Sequence, residues 1–164
     1  MTVPKLPDRK TPRLPRERYQ RGTPTLVTAV THVRAPWFAR SPALPRAATE
    51  ILLSLAQERE ARLDAWCWMP EHVHVLVKDA DTVSFVRLLK GRIAAEARRQ
   101  GLRARLWQRS FHDRLLRRDE AVPKAAVYVL ANPERRGLVV EAKQYPWSGS
   151  LSWPDWREEG ICVD

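Results

Sequence analysis

Trp66-Cys67-Trp68-Met69-Pro70-Glu71-His72-Val73-His74-Val75-Leu76-Val77-Lys78 contains two β-type runs that meet at Pro70. Strand side chains alternate between faces, so His72, His74 and Leu76 project to one side and Val73, Val75 and Val77 to the other. The valine side is a core face, and the other side presents two imidazoles. Same-face neighbours sit roughly 6.5–7 Å apart along a strand, which lets both rings converge on one divalent ion without distorting the backbone. Taken alone, the pair also fits an ordinary strand with one histidine hydrogen-bonded and the other exposed. The short connection at Met69-Pro70-Glu71 predicts an antiparallel hairpin.

On the N-terminal side of this hairpin, Ala48, Ile51, Leu52 and Leu55 recur at helical spacing behind Pro45, and Glu58, Arg59, Glu60 and Arg62 carry the segment into solvent. Before that helix, Thr25 to Val33 is rich in β-branched residues and closes at Ala35-Pro36, a first strand. His32 at its end is a possible third ligand, although a lone strand histidine beside a loop is more often polar surface. Residues 1–22 hold Lys5, Arg9, Lys10, Arg13, Arg16, Arg18 and Arg21 against Asp8 and Glu17, with prolines interleaved. That composition neither packs nor propagates a helix, so 1–22 is expected to be a flexible basic arm and 23–164 the folded domain. The alternative is a merely solubilising tail.

On the C-terminal side, Asp81 or Thr82 can cap a second helix with Phe85, Val86, Leu89 and Ile93 on its apolar face. Arg87 and Arg98 lie on its back and Lys90 at the border; Gly91 marks either a close approach or simple tolerance. The linker that follows, with Arg103, Arg105, Trp107 and Arg109, sets cations beside an aromatic ring, which suits phosphate contact and base stacking with unpaired nucleic acid; a solvated loop anchored by a buried Trp107 is the equal alternative. Phe111 to Arg117 reads as a fourth strand. Asp119 and Glu120 then open a third helix whose core side is read as Ala126, Val127 and Leu130. On another face lie Lys124, Tyr128 and Asn132, one turn apart. Packing does not call for a tyrosine there.

The net charge of +10 over 164 residues points to a polyanionic partner, most commonly nucleic acid. Two cysteines, Cys67 and Cys162, suggest neither a disulfide framework nor a cysteine zinc site. No apolar run approaches the roughly 20 residues of a membrane span, and the N-terminus lacks the apolar core of a signal peptide, so a cytoplasmic protein is expected.

Four blocks then fall in register: Met69 to Val77, Trp107 to Arg114, Tyr128 to Val139, and Tyr145-Pro146-Trp147-Ser148. From about Tyr19 to Trp147 the chain resembles the REP-associated tyrosine transposases, single-tyrosine HUH nucleases related to small insertion-sequence transposases acting on single-stranded hairpin DNA. The resemblance implies an α+β, ferredoxin-like or RRM-like fold. This has a four-stranded antiparallel sheet with the histidine pair at its centre, two backing helices and a further helix delivering the tyrosine. It implies that His72 and His74 bind Mg²⁺ or Mn²⁺, that Tyr128 is the nucleophile, and that Asn132 stands where relatives place a further metal ligand. Arg87, Lys90, Arg98, Arg103, Arg105, Arg109 and Lys124 are expected to contact DNA. The residue before the first histidine is usually asparagine in this family and is Glu71 here; strand alternation predicts that it points away from the imidazoles. The implied activity is cleavage and rejoining of hairpin DNA through a 5′-phosphotyrosine. A non-cleaving hairpin-binding module is the alternative, and an RRM-like RNA binder is disfavoured because Trp66 and Trp68 flank a histidine pair rather than an RNP block. A monomer and a homodimer both fit, since relatives differ in whether the tyrosine acts within its own subunit.

Overall fold

The computed structural model describes residues 22–116 and 121–163. The expected arm, save Gly22, lies outside the described residues, as do Asp119 and Glu120 and the expected strand end at Arg117. The elements run β1 (Thr25–Val30), α1 (Trp37–Arg40), α2 (Ala43–Glu58), β2 (Arg62–Met69), β3 (His72–Lys78), α3 (Thr82–Arg99), β4 (His112–Leu115), α4 (Ala121–Leu130), α5 (Asn132–Arg135), β5 (Ser148–Gly149) and α6 (Trp156–Glu159). All strand pairings are antiparallel, in the order β4-β1-β3-β2-β5. Strands β1 to β4 with α2 and α3 reproduce the βαββαβ order of the ferredoxin-like fold, as expected. The sequence reading did not anticipate β5, which extends the sheet beyond β2.

The alternation expected in β3 is present, but both faces are covered. Val73, Val75 and Val77 join Val27, Ala29, Trp68 and the buried sides of α2 and α3, among them Leu52, Leu55, Phe85 and Ile93. Leu76, on the histidine side, joins Leu26, Ala65, Cys67 and Met69 beneath α4, Tyr145 and Trp156 in a second core. The imidazole face is therefore an interior one over most of its length. Burying this much apolar area on two sides at about 25 cal/mol per Å² is what makes a single thin sheet a rigid platform.

Local chemistry explains the element ends. Asp81 caps α3 by accepting from the Ser84 amide at 3.0 Å. Met69 pairs with His72, so the hairpin loop is only Pro70-Glu71. An alanine-like Cβ on Gly91 would meet nothing within 4 Å, which favours tolerance over close approach. Two expectations need correction. The core side of α4 is Val122, Ala125, Ala126, Val129 and Leu130, whereas Val127 is 39% exposed. The helix phase is set by the pair Ala125–Ala126, whose small side chains let the backbone approach the sheet, and 127 falls just off that arc. The fourth strand is also shorter than expected, four residues from His112.

Candidate active site on the histidine face

His72 and His74 are 8% and 7% exposed, side by side on the central strand. Their rings are nearly perpendicular (81°), and the two Nε2 atoms lie 3.1 Å apart. Each Nδ1 is anchored on the far side of its ring. His74 Nδ1 is 2.9 Å from Thr28 Oγ1, on the cross-strand neighbour in β1, and His72 Nδ1 is 3.0 Å from Glu71 Oε1. This overturns the expectation that Glu71 points away. Glu71 sits in the two-residue turn rather than in the strand, so strand alternation does not govern it, and its side chain folds back over His72. Arg136 holds the same carboxylate oxygen at 3.1 Å.

Burial lowers the pKa of His74 to about 3, with His72 and Arg135 adding to the effect. Burial also lowers His72, against the opposing pull of Glu71. Both imidazoles are therefore neutral near pH 7, the form that binds metal. Burial works against ionisation of Glu71, but the adjacent His72 and Arg136 outweigh it and hold the carboxyl below its ordinary range. The direction the geometry supports is an ionised Glu71 clamped by Arg136 beside a neutral His72.

Tyr128 is on α4 of the same chain, 43% exposed, with its ring centroid 5.9 Å from that of His74 and nearly perpendicular to it. The Arg135 guanidinium lies 4.1 Å from the Tyr128 ring centroid. Asn132 is buried where α4 passes into α5. Its Nδ2 donates to the Tyr128 carbonyl at 2.9 Å, and its Oδ1 accepts from Arg135 at 3.1 Å. Its amide thus braces the turn that carries the tyrosine, and Oδ1 keeps one further lone pair.

The two imidazoles suit a small divalent ion. Nitrogen ligands about 2.1 Å from a metal and at right angles to each other are about 3 Å apart, which matches the Nε2 separation. Among the described residues, no group of three or more His, Cys, Asp or Glu is placed to hold a metal, so a third protein donor would have to come from another residue type such as Asn132. His32 is exposed and lies outside this constellation.

The expected DNA-contacting cations are placed unevenly. Arg87 and Arg98 are exposed on α3, and Lys124 is exposed on α4 one turn before Tyr128. Arg105 and Arg109 are exposed in the linker, and Arg103 borders a concavity of about 460 Å³ that it shares with Trp37, Arg40 and Leu102. Lys90 instead donates to the carbonyls of Gln108 and Ser110, at 2.8 and 2.9 Å, holding the loop that carries Arg109. Trp107 is buried and donates to the Lys90 carbonyl, so it anchors that loop. Sequence reading missed Arg34, Arg135 and Arg136, all electrostatically coupled to the histidine pair. Arg34 sits in a turn where Val33 (φ 49°) and Arg34 (φ 53°) are left-handed, a conformation costly for a β-branched residue. Thr31 fixes that turn to the hairpin through its amide and hydroxyl, both bonded to the Glu71 carbonyl at 2.9 Å. Strain of this kind persists only where the surroundings impose it.

The ferredoxin-like sheet thus carries paired histidines on its central strand, with the helix that bears Tyr128 packed on the same face. The chain belongs to the IS200-like transposase family, whose family model (Transposase IS200 like) matches residues 25–117, more than half of the chain. Among solved structures it is similar to a REP-associated tyrosine transposase bound to a REP hairpin. That match has a TM-score of 0.66 and 23% identity, and covers 79% of this chain and 78% of the other. It is also similar to a protein of Deinococcus radiodurans R1 described as a candidate transposase, with a TM-score of 0.50 and 19% identity, covering 66% of this chain and 88% of the other. At these identities the likeness carries the fold. No curated protein matches. Among the described residues no helix is long and apolar enough to cross a membrane.

Proposed function

We propose that this transposase-family protein cleaves and rejoins single-stranded hairpin DNA through a covalent 5′-phosphotyrosine on Tyr128, with Mg²⁺ or Mn²⁺ held by His72, His74 and Asn132 Oδ1. The observation that carries the reading is that the Tyr128 ring stands steeply inclined to that of His74 with centroids 5.9 Å apart, beside a histidine pair whose Nε2 atoms are 3.1 Å apart. When bound, the ion supplies Lewis-acid polarisation of the scissile phosphate. Arg135, stacked on the Tyr128 ring, and Arg34 and Arg136 nearby provide positive potential where a phosphate would enter. The Tyr128 oxygen attacks phosphorus and loses its proton to solvent, the P–O3′ bond breaks, and the departing 3′ oxygen is protonated to a hydroxyl. The phosphotyrosine conserves the bond energy, so attack by a later 3′ hydroxyl restores the phosphodiester and the free tyrosine without ATP. The likeness to a transposase solved with a REP hairpin supports hairpin DNA as the substrate class. Exposed Arg87, Arg98, Arg103, Arg105, Arg109 and Lys124 would supply salt-sensitive phosphate contacts.

Tyr128→Phe tests this at one atom. The ring is partly exposed, so fold and DNA affinity should hold while covalent capture of a hairpin oligonucleotide labelled 3′ of the cut disappears. An adduct of equal yield from Tyr128→Phe would identify another nucleophile. No adduct from the wild-type protein with either metal, across a panel of hairpins, would leave the non-cleaving binding module.

A further inference from the structure

We propose that Val33 is a wedge for the DNA junction: its side chain packs on the terminal base pair where a hairpin stem gives way to single strand, and keeps the first unpaired base from stacking there. The proposal rests on the hairpin reading given above. Val33 is 78% exposed, yet it stands in a left-handed conformation (φ 49°, ψ 23°) followed by a second left-handed residue, Arg34 (φ 53°). A lone exposed apolar residue is ordinary on a protein surface, and a left-handed turn is ordinary where glycine or asparagine makes it. A β-branched residue is the costly choice for that backbone, and one so exposed gains little from packing within its own chain. Strain held in this way points to a use outside the folded chain.

The turn is pinned on both sides, and its place is fixed. It leaves β1 directly after Val30, the residue paired with His72 in β3, so it continues from the strand position next to the histidine pair. Thr31 ties it to the hairpin loop through the Glu71 carbonyl and closes it on the Ala35 carbonyl at 2.8 Å. On the other side the His32 amide donates to the Leu106 carbonyl at 2.8 Å, and the Gln108 amide donates to the Val30 carbonyl at 3.0 Å. Exposed cations belong to the turn and to both flanks: Arg34 in the turn, Arg136 on Glu71, and Arg105 and Arg109 in the loop around Trp107. An apolar tip is thus presented among groups suited to phosphates. A valine is too short to prise open a stacked step, as larger apolar wedges do, but it covers part of a base-pair face that is already open. The foot of a hairpin stem offers such a face, and the strand beyond it must be unpaired to reach Tyr128.

Replacing the first unpaired base beside the stem with 2-aminopurine, whose fluorescence is quenched by stacking, tests the wedge. Saturating the hairpin with the full chain bearing Tyr128→Phe, so that cleavage adds nothing to the signal, should raise the fluorescence. Adding Val33→Asn, which suits the left-handed backbone but is polar, should abolish the rise, weaken hairpin binding by about tenfold and leave affinity for an unstructured strand unchanged. The same change should raise the melting temperature, because it relieves the turn. Val33→Leu keeps an apolar tip and should keep the rise. Arg34→Gln should weaken binding to both DNAs while the rise at saturation persists, which separates the wedge from a turn that merely holds Arg34. A rise preserved in Val33→Asn, no rise without that change, or a lowered melting temperature in Val33→Asn overturns the wedge. Covalent capture by the chain with Tyr128 intact reads the chemistry separately: capture without the rise overturns the wedge alone, and the rise without capture overturns the cleavage reading while the wedge stands.

Discussion

Replacing Gly149 with alanine is a sharp test of how the last strand holds the sheet. A Cβ built on Gly149 falls 2.4, 2.8 and 2.9 Å from Cζ2, Cη2 and Cε2 of Trp66. Ordinary carbon contacts are about 3.5–4.0 Å, so the indole or the strand must give by about 1 Å. Neither moves freely. Trp66 is packed into the core beneath α2 and α3, and Gly149 pairs with Trp66 in register, next to the Ser148–Cys67 pair. Overpacking of this kind costs about 1–3 kcal/mol, offset by about 0.4–1 kcal/mol because alanine restricts the unfolded chain. The mid-range net cost is about 1.3 kcal/mol, so at about 2–4 °C per kcal/mol for a domain of this size the melting temperature should fall by about 3–5 °C. Thermal denaturation followed by circular dichroism reads the change. Trp66→Phe removes the benzo ring atoms that clash, so the double variant Trp66→Phe/Gly149→Ala should be more stable than the sum of the single changes allows. An unchanged or raised melting temperature for Gly149→Ala, or strict additivity in the cycle, would refute the close-approach reasoning.

Gly91→Ala should act in the opposite sense. The site is exposed, nothing lies within 4 Å of the new Cβ, and removing an interior helical glycine contributes about 1 kcal/mol, so the same assay should show a rise. A fall would place an unseen neighbour against α3. Acid should destabilise the metal-free protein through His74. Its folded pKa of about 3 lies below the unfolded value of 6.5, so between these values the unfolded chain binds the extra proton and stability drops as pH falls. The loss is up to about 1.4 kcal/mol per pH unit, or about 2 kcal/mol between pH 6.5 and 5, with His72 contributing in the same direction. Urea midpoints measured in EDTA should track that slope, and His74→Gln should flatten it. A wild-type profile flat from pH 7 to 5 would show that His74 is not buried as a neutral ring.

Much of the platform was legible in the residues because it rests on strong periodic signals. The alternation of valines in β3 and the helical spacing of Ala48, Leu52 and Leu55 each leave one economical burial pattern. Glu71 was misread because one residue of register decides whether it belongs to a strand or a turn, and a two-residue loop leaves no spare positions to mark the boundary. Val127 was misread because the small residues Ala125 and Ala126 set the helix phase, and alanine carries little hydrophobic signal. Thr28 could not be connected to His74 at all. Their contact depends on the β1–β3 register between residues 46 positions apart, and a threonine in a β-branched run looks like every other strand threonine. Ser148-Gly149 pairs only because Gly149 admits the Trp66 ring, a condition set by a residue far earlier in the chain.

Strand β3 has no solvent face, and this gives its positions a parity. Odd-numbered residues from 73 to 77 belong to the layer shared with α2 and α3, while even-numbered ones belong to the layer under the tyrosine helix. Damage to one layer can therefore be separated from damage to the other by counting alone. Truncating Val75 wounds the platform on which everything stands, whereas truncating Leu76 loosens only the lid that carries Tyr128 and leaves the platform's own packing intact. In such a partition wall, chain number predicts which room a change is felt in.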